Sequence, residues 1–264
     1  MARQRADLVL VERGCFASRE QARAAILAGE VRVGDHVVRK AGELIAEDAA
    51  LWVAERPRFV SRGGDKLLGA LQTFALDVTR MRVVDVGAST GGFSDCLLQS
   101  GAESMCAIDV GYGQLAWSLR QDPRVTVYER TNIRNVDAAA VGAPFDLAVA
   151  DVSFIGLGMV LPHLTALVRP AGQVLVLVKP QFEAGKGRVG KGGVVRDPRV
   201  HRDVLEGVLA AVSMEGLVVQ GLTWSPIKGP EGNIEFWVWA SLNGAPAGVD
   251  VDAVVAEAHA RLGG

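Results

Sequence analysis

The chain is poor in the residues that build metal centres and disulfide frameworks. Its 264 residues include three cysteines and four histidines. Cys15, Cys96 and Cys106 lack CxxC or zinc-type spacing and cannot all pair, so we interpret them as reduced thiols of a cytosolic protein. The histidines are scattered without the spacing of metal ligands. The sequence therefore predicts no metal site.

Long apolar stretches are also missing. The run Val174 to Val178 is among the longest, and it is far shorter than the roughly 20 residues that cross a bilayer as a helix. Arg3, Arg5 and Asp7 interrupt the segment where a signal peptide would carry its apolar region. We therefore expect a soluble, cytoplasmic protein with no membrane partner, and we favour a monomer.

An excess of charge of one sign is absent as well. The net charge is −2, and the chain has 22% charged and 49% hydrophobic residues. This is an ordinary globular composition, and its length fits one domain of about 200 residues with a small second domain. Total charge gives no reason to expect a nucleic-acid partner, so evidence for one must come from local charge.

The stretch from Val83 to Ser94 is predicted to be a short buried strand, a glycine-rich turn and the start of a helix. Such a turn brings backbone N–H groups and a helix N-terminus close to a ligand. A second strand, 105–109, ends in Asp109, which comes 24 residues after Asp85. An acid at this place usually binds the ribose hydroxyls of a nucleoside.

The turn departs from the dinucleotide pattern GxGxxG because Ser89 replaces the second glycine. Asp85, two residues before Gly87, would repel a pyrophosphate, whereas S-adenosylmethionine (SAM) carries a sulfonium and an ammonium group and no phosphate. SAM is therefore the predicted cofactor, and a tight turn with a structural aspartate is the alternative. Asn132, after the third strand, is a weaker candidate for the adenine edge. The predicted cofactor-binding residues are Asp85, Gly87, Ala88, Ser89, Thr90, Gly91, Gly92, Phe93, Asp109, Val110, Asn132 and Asp151.

Strands and helices alternate from residue 61 onward, which predicts a mostly parallel sheet covered on both faces. The strands are predicted at 83–86, 105–109, 125–127, 146–151 and 173–178, and a helix is predicted from about Leu157 to Val168. Two later strands, 216–224 and 233–240, are consistent with an antiparallel pair that closes the sheet, and 250–262 reads as a surface helix. The predicted fold class is α/β, a Rossmann-like sheet with an antiparallel last strand and a small N-terminal α+β domain.

Residues 5–54 read as a separate module with two helices and a hairpin, and Ser18-Arg-Glu-Gln21 is predicted to be a capping box that opens the second helix. Its Ser18-Arg-x-x-Ala22 helix start and its Gly29-Glu-Val-Arg-Val33-Gly34 stretch resemble the S-four-type RNA-binding domain. Composition alone favours a solvated face, but the resemblance implies a basic face that binds structured RNA. We predict domains at 1–55 and 61–264 with a linker at 56–60. The predicted RNA contacts of the module are Arg13, Arg19, Arg23, Arg39 and Lys40.

The segment 180–202 is rich in glycine and in cations. From Lys179 to Arg202 the chain carries seven cations against Glu183 and Asp197. A long loop at the carboxyl edge of a sheet is more often functional than connective, with a mobile solvated loop as the alternative. The RNA contacts predicted in this loop are Lys186, Arg188 and Lys191.

Four polar residues fall where the apolar pattern predicts the mouth of the sheet. Lys66 lies in the first turn of a predicted helix, where the helix dipole disfavours a cation. Asp151 and Lys179 each end an apolar run, and Glu235 begins the final strand. Ligands of open α/β sheets bind outside the carboxyl ends of the strands. These residues are therefore candidate catalytic groups, with a structural ion-pair network as the alternative.

The sequence around these residues resembles a known family. The Lys-Asp-Lys-Glu tetrad of FtsJ-like ribose 2′-O-methyltransferases is matched in order and position by Lys66, Asp151, Lys179 and Glu235. The surrounding motifs look like the TlyA family, and this resemblance covers essentially the whole chain. They are Ser61-Arg-Gly-Gly-Asp-Lys66, Asp85-Val-Gly-Ala-Ser-Thr-Gly-Gly-Phe93, Asp109-Val-Gly-Tyr-Gly-Gln-Leu115, Asp151-Val-Ser-Phe-Ile155, Val178-Lys-Pro-Gln-Phe-Glu183 and Gly232-Asn-Ile-Glu235. The resemblance implies SAM-dependent 2′-O-methylation of ribosomal RNA, in a family of which some members were labelled haemolysins.

The residues are consistent with that chemistry. A ribose 2′-hydroxyl is a poor nucleophile until its proton leaves, and a lysine is a base only if its pKa falls from about 10.4 toward neutrality. We expect Lys179 to be the base or to stabilise the alkoxide, with Lys66 as a second cation nearby. Asp151 and Glu235 would orient the lysines and the hydroxyl, and no metal is required.

Three other functions are less consistent with the sequence. A membrane-lytic protein would need a secretion signal, a spanning segment or a strongly amphipathic basic helix, and the sequence shows none of them. A non-catalytic RNA-binding or ribosome-assembly factor would not need the complete tetrad and cofactor motifs. A small-molecule methyltransferase would need neither the N-terminal module nor the basic loop. The sequence therefore predicts an rRNA 2′-O-methyltransferase.

Overall fold

The computed structural model describes residues 2–54, 57–185 and 187–263. The chain forms two compact units, residues 1–57 and 58–264. The predicted linker, 56–60, begins at a residue outside the described ranges. The predicted domain limits, 1–55 and 61–264, therefore stay predictions.

The N-terminal unit contains the two predicted helices, α1 (Ala6–Glu12) and α2 (Arg19–Leu27). The predicted cap of α2 is confirmed, because the Oγ of Ser18 accepts a 3.3 Å hydrogen bond from the N–H of Gln21. Apolar residues of both helices, among them Leu10 and Ile26, form the core of this unit together with Val31.

Short strands complete this unit: β1 (Arg3–Arg5), β2 (Val31–Val33), β3 (His36–Val37), β4 (Leu44–Ala46) and β5 (Leu51–Val53). The predicted hairpin is confirmed, since β2 pairs antiparallel with β3 and, on its other side, with β5. The pairing of β1 with β4 is not predicted from the sequence. The three polar residues of β1 lack the apolar alternation by which a strand is recognised.

The C-terminal unit is built on a seven-stranded sheet. Its strands are β6 (Arg82–Val86), β7 (Ser104–Ile108), β8 (Val125–Tyr128), β9 (Phe145–Ala150), β10 (Val168–Val178), β11 (Val218–Trp224) and β12 (Phe236–Ser241). Their order in the sheet is β11-β12-β10-β9-β6-β7-β8. Neighbours from β10 to β8 run parallel, whereas β12 is antiparallel to β10 and β11. The predicted mostly parallel sheet with an antiparallel last strand is confirmed.

Helices cover both faces of this sheet. They are α3 (Gly63–Thr73), α4 (Gly92–Gln99), α5 (Trp117–Arg120), α6 (Leu161–Leu167), α7 (Pro180–Glu183), α8 (Pro198–Met214) and α9 (Val251–Leu262). Apolar residues of α3, α4 and α5 form one core with the sheet, and those of α6, α8 and α9 form another. Burial on both faces explains why the strands are near-continuous apolar runs in the sequence.

Some strands begin at residues other than the predicted ones, among them β10 at Val168 rather than 173 and β12 at Phe236 rather than 233. Glu235 therefore lies just before the final strand, and the prediction that it begins this strand is wrong.

The helical segments also differ in part from their predictions. The helix predicted near 157–168 is divided into a 3₁₀ turn, Leu157–Met159, and α6. Pro162 is the reason, because proline has no N–H and is tolerated only in the first turn of a helix. The segment predicted as a loop after residue 179 contains α7 and a second 3₁₀ turn, Lys191–Gly193.

The parallel strands β6, β7, β9 and β10 all end at the same edge of the sheet. Directly after these strands come the glycine-rich turn, Asp109, Asp151 and Lys179. The topology therefore brings the predicted cofactor turn and three predicted polar groups to one place.

Candidate active site

The glycine-rich turn after β6 has a backbone conformation that favours glycine. Gly87 and Gly91 have φ angles of 83° and 93°, in the left-handed region. A Cβ at Gly87 would lie 2.4 Å from the backbone oxygen of Asp151, and one at Gly91 would lie 2.2 Å from the side chain of Leu119. The turn is therefore in direct backbone contact with the residue that follows β9.

Two sizeable cavities adjoin this turn. Their volumes are about 690 Å³ and about 210 Å³, and the larger lies within the range of small-molecule sites. Gly87, Ser89 and Asp151 line both cavities. The predicted cofactor residues that line at least one of them are Gly87, Ala88, Ser89, Thr90, Gly92, Phe93, Asp109, Val110, Asn132 and Asp151.

Asp85 and Gly91, the other two predicted cofactor residues, lie behind this lining. Asp85 is fully buried, and its Oδ2 accepts a 2.7 Å hydrogen bond from the Oγ of Ser94. Its Oδ1 has no hydrogen-bond partner among the described residues. Burial raises the pKa of Asp85 to about 7, opposed by the Ser94 hydrogen bond and reinforced by Asp151. The cofactor roles of Asp85 and Gly91 stay predictions.

Asp109 and Asn132 each have part of their hydrogen-bonding capacity in use. The two carboxylate oxygens of Asp109 accept hydrogen bonds from the N–H groups of Ser89, at 2.7 Å, and Gly111, at 2.6 Å. A carboxylate has about four lone-pair sites, so Asp109 can also accept from ribose hydroxyls. The Oδ1 of Asn132 caps a 3₁₀ turn by accepting from the N–H of Arg134 at 3.1 Å. A contact of Asn132 with adenine can use its amide nitrogen or the second lone pair of Oδ1.

The larger cavity has the chemistry that a cationic nucleoside cofactor requires. Asp109 and Asp151 both line it, and their carboxylates would attract the sulfonium and ammonium groups of SAM and repel a pyrophosphate. Apolar side chains, among them Ile133 and Ile155, form other parts of its wall. The residues present therefore fit SAM.

The four predicted catalytic residues meet as two ion pairs. The Nζ of Lys66 lies 2.6 Å from the Oε2 of Glu235, and both side chains are buried. The Nζ of Lys179 forms an ion pair with the Oδ1 of Asp151. It also donates a 2.9 Å hydrogen bond to the Oγ of Ser153. Each lysine is therefore held by its own carboxylate.

The two ion pairs also influence each other. Burial raises the pKa of Glu235, and Lys66 opposes this increase. Asp151 raises the pKa further, and Lys179 lowers it. The Oε1 of Glu235 has no hydrogen-bond partner among the described residues. The four side chains therefore form a single electrostatic cluster.

Side-chain contacts, one of them to a backbone N–H group, join the loop after β9 to the segment after β10. They are Lys179 with Ser153, Phe182 with Phe154 (ring centroids 4.9 Å apart), and the Oε1 of Glu183 with the N–H of Leu157 (2.8 Å). Burial raises the pKa of Glu183, and the hydrogen bond from Leu157 opposes this increase. The loop that carries Asp151 is thus fixed to the segment that carries Lys179.

Sequence reasoning missed three residues of this site: Ser153, Phe154 and Glu183. Phe154 lines the larger cavity with 90% of its surface exposed, and its φ of 64° is unusual for an aromatic residue. Their position in the sequence could have indicated them, because all three lie within four residues of Asp151 or Lys179.

The predicted RNA-binding residues of the N-terminal unit differ in what they contact. Arg19 and Arg5 form ion pairs of 2.8 Å and 3.0 Å with the buried carboxylate of Asp7. The pKa of Asp7 is lowered to about 2, and the hydrogen bond from Arg5 is the largest cause. Arg13 donates a hydrogen bond to the backbone oxygen of Ala49. The exposed residues of the set include Arg23, Arg39 and Lys40.

In the basic segment, Arg188 forms an ion pair with Asp203, and Lys191 is exposed. Lys186 lies outside the described residues. Buried Asn233 holds the end of the segment, because it accepts a 2.9 Å hydrogen bond from the N–H of Val195 and donates one of 2.9 Å to the backbone oxygen of Gly193. The segment is therefore attached to the chain just before Glu235.

Within residues 2–54, 57–185 and 187–263, no group of three or more His, Cys, Asp and Glu side chains is arranged to hold a metal ion. In that same part of the chain, no helix is both long enough and apolar enough to span a membrane.

Comparison with known proteins identifies the family. The model of the family described as FtsJ-like methyltransferase matches residues 59–242, which is more than half of the chain. The chain belongs to the FtsJ-like methyltransferase family. The S4 domain matches residues 4–50, in the N-terminal unit. As an FtsJ-like methyltransferase the protein uses SAM as its methyl donor.

Relatives and solved structures agree with this assignment. The Mycobacterium tuberculosis protein named 16S/23S rRNA (cytidine-2′-O)-methyltransferase TlyA is 48% identical over 240 residues, or 90% of this chain and 89% of the relative. A solved structure named as a hemolysin from Streptococcus thermophilus is 42% identical with a TM-score of 0.75, covering 99% of this chain and 97% of that one. A structure from Listeria monocytogenes described as a SAM-dependent methyltransferase, 12% identical with a TM-score of 0.52, covers 69% of this chain and 99% of that one and shares the fold alone.

Proposed function

We propose that this FtsJ-like methyltransferase transfers a methyl group from SAM to a ribose 2′-hydroxyl of ribosomal RNA. The name of the M. tuberculosis relative supports this substrate, and the match to an S4 domain supports RNA binding. The observation that carries the proposal is the ion pair between the Nζ of Lys179 and Asp151, a residue that lines both cavities. An amine at this place can receive the proton of a hydroxyl group.

Lys179 is the proposed base. In its uncharged form it accepts the proton of the 2′-hydroxyl at Nζ, and Asp151 and Ser153 then stabilise the ammonium group that results. When bound, SAM supplies the methyl group, whose bond to sulfur breaks as the bond to the 2′-oxygen forms. The proton thus ends on Lys179 and leaves to solvent before the next turnover.

The proposed role of Lys66 and Glu235 is to shape the electrostatics around the reacting oxygen. Lys66 lines the smaller cavity, where its ammonium group stabilises negative charge that develops on the 2′-oxygen. Glu235 holds Lys66 in place through the buried 2.6 Å ion pair. No step of this mechanism is assigned to a metal ion.

The test compares Lys179→Ala and Lys179→Arg with wild type in a methyl-transfer assay on ribosomal subunits. Removal of the base should lower the rate about 10²- to 10⁴-fold. Arginine keeps the positive charge but does not lose its proton, so Lys179→Arg should be as inactive as Lys179→Ala. SAM affinity, measured by calorimetry, should change less than about twofold in both variants.

Lys191→Ala is the matched control, because this lysine is exposed and lies in the basic segment rather than at the cavities. It should weaken RNA binding and leave the rate at saturating RNA unchanged. Transfer that persists in Lys179→Ala would refute the assigned role, and transfer that persists only in Lys179→Arg would assign Lys179 to charge stabilisation. No transfer by wild-type enzyme to either ribosomal subunit would refute the proposed substrate.

A further inference from the structure

The N-terminal unit carries no excess of positive charge. Residues 2–54 contain eight lysines and arginines and eight aspartates and glutamates. Two of these arginines, Arg5 and Arg19, are already paired with buried Asp7. Because counterion release by cations supplies most non-specific RNA affinity, a neutral unit needs another source of affinity to contribute to RNA binding.

Trp52 and Arg32 form an exposed pair on the sheet of this unit. They are direct cross-strand neighbours on β5 and β2, and the guanidinium carbon of Arg32 lies 5.4 Å from the centre of the Trp52 ring. Trp52 is the largest apolar side chain exposed in the unit, with 52% of its surface accessible. A half-exposed tryptophan beside an arginine presents both an aromatic face and a cation.

The packing of the unit does not require this pair. Side chains alternate between the two faces of a strand, and the residues adjacent in sequence to Arg32 and Trp52 occupy the core face of these strands. Val31 is fully buried in the core, with Val33, Leu51 and Val53 packed against it. Arg32 and Trp52 therefore point to the opposite face, where an apolar side chain gains little from burial.

We propose that Trp52 and Arg32 form a stacking site for an unpaired nucleotide of RNA. Every nucleobase can stack on an indole ring, and a guanidinium group can both stack on a base and contact its phosphate. This inference rests on the proposed RNA substrate and adds a contact outside the helix face and the basic segment. The stacking contribution is insensitive to salt, unlike the contribution from phosphate contacts.

The test measures the affinity of the full chain for single-stranded oligoadenylate of about 12 nucleotides at salt concentrations from about 50 to 200 mM. Trp52→Ala should weaken binding about tenfold at every salt concentration and leave the salt dependence unchanged, because stacking involves no counterion release. Arg32→Ala should weaken binding and reduce the salt slope by about one unit. Trp52→Phe keeps an aromatic face and should retain most of the affinity.

Leu27→Ala is the matched control, since Leu27 is 78% exposed in the same unit and has no aromatic face. It should bind the oligonucleotide as wild type does, and thermal unfolding should confirm that the variants are folded. Wild-type affinity in folded Trp52→Ala, or equal losses in Trp52→Phe and Trp52→Ala, would overturn the inference. Unchanged oligonucleotide affinity with weaker binding to intact ribosomal subunits would assign the pair to a protein contact and overturn it as well. Methyl transfer to ribosomal subunits by wild type, assayed separately, tests the proposed function itself.

Discussion

Replacement of Asp85 by asparagine should stabilise the enzyme, and by an amount that grows as the pH rises from 5 to 8. The carboxyl group is fully buried, and its Oδ1 has no hydrogen-bond partner within the part of the chain that the structure describes. Burial raises the pKa of this group from 3.8 to about 7. Asparagine has nearly the same shape and no charge. The variant therefore removes the cost of burying an ionised group and keeps the packing.

The sign and size of this pH-dependent stability difference follow from the pKa of Asp85. The folded state holds the proton more tightly than the unfolded state, so the stability that this group contributes is complete below about pH 4 and is lost as the pH rises toward 7. A shift of about three units corresponds to about 4 kcal/mol over the whole range. Between pH 5 and pH 8, wild type should lose about 3 kcal/mol of unfolding free energy relative to Asp85→Asn.

Urea unfolding at pH 5 and pH 8, followed by tryptophan fluorescence, measures this difference. Four of the five tryptophans belong to the C-terminal unit, so the signal reports on the unit that contains Asp85. Glu206→Gln, at an exposed position of α8, is the control and should show no such pH dependence relative to wild type. A stability difference between Asp85→Asn and wild type that is equal at both pH values would refute the reasoning. SAM affinity of Asp85→Asn tests the separate prediction that this residue contributes to cofactor binding.

Other predictions concern the loops around the site. Glu183→Ala should lower kcat at least about tenfold with little change in SAM affinity, because the hydrogen bond from the N–H of Leu157 is lost. Glu183→Gln should keep most activity, since its amide oxygen can still accept this hydrogen bond. Equal losses in the two variants would contradict a positioning role of Glu183. Phe154→Ala should raise KM for RNA about tenfold in steady-state assays if the exposed ring stacks on a base, and an unchanged KM would exclude that contact. Gly87→Ala should cost at least about 2 kcal/mol in urea unfolding, because its Cβ would meet the backbone of Asp151. Gly207→Ala, at an open and exposed position of α8, should be neutral or stabilising.

The position of the catalytic candidates is predictable from the sequence for a topological reason. Lys179 and Asp151 each end an apolar run, and parallel strands end at one edge of the sheet. This rule is enough to predict that the two residues meet. Their partners are not predictable in the same way, because the pairing of Lys66 with Glu235 depends on side-chain directions that strand order does not specify.

Burial limits what sequence patterns say about individual side chains. Asp85 and Asp109 look alike in the sequence, since each lies within one residue of the end of an apolar strand. In the structure Asp109 lines the larger cavity, whereas Asp85 lies behind the turn and contacts Ser94 of α4. Arg19 likewise reads as an RNA contact, yet it is paired with the buried carboxylate of Asp7. In each case a tertiary contact determines the surroundings of the side chain, and that contact has no local signature in the sequence.

The contact between Gly87 and Asp151 also limits how this enzyme can evolve. The N–H of Asp151 donates a 3.0 Å hydrogen bond to the backbone oxygen of Val86, and the space at Gly87 is too small for a Cβ. A mutation that reshaped the turn would therefore displace Asp151 as well, so donor preference and catalytic activity cannot vary independently. Acceptor specificity is free of this constraint where it depends on the N-terminal unit, which is compact in its own right. New RNA targets in this family should therefore arise by change in that unit, with the turn preserved.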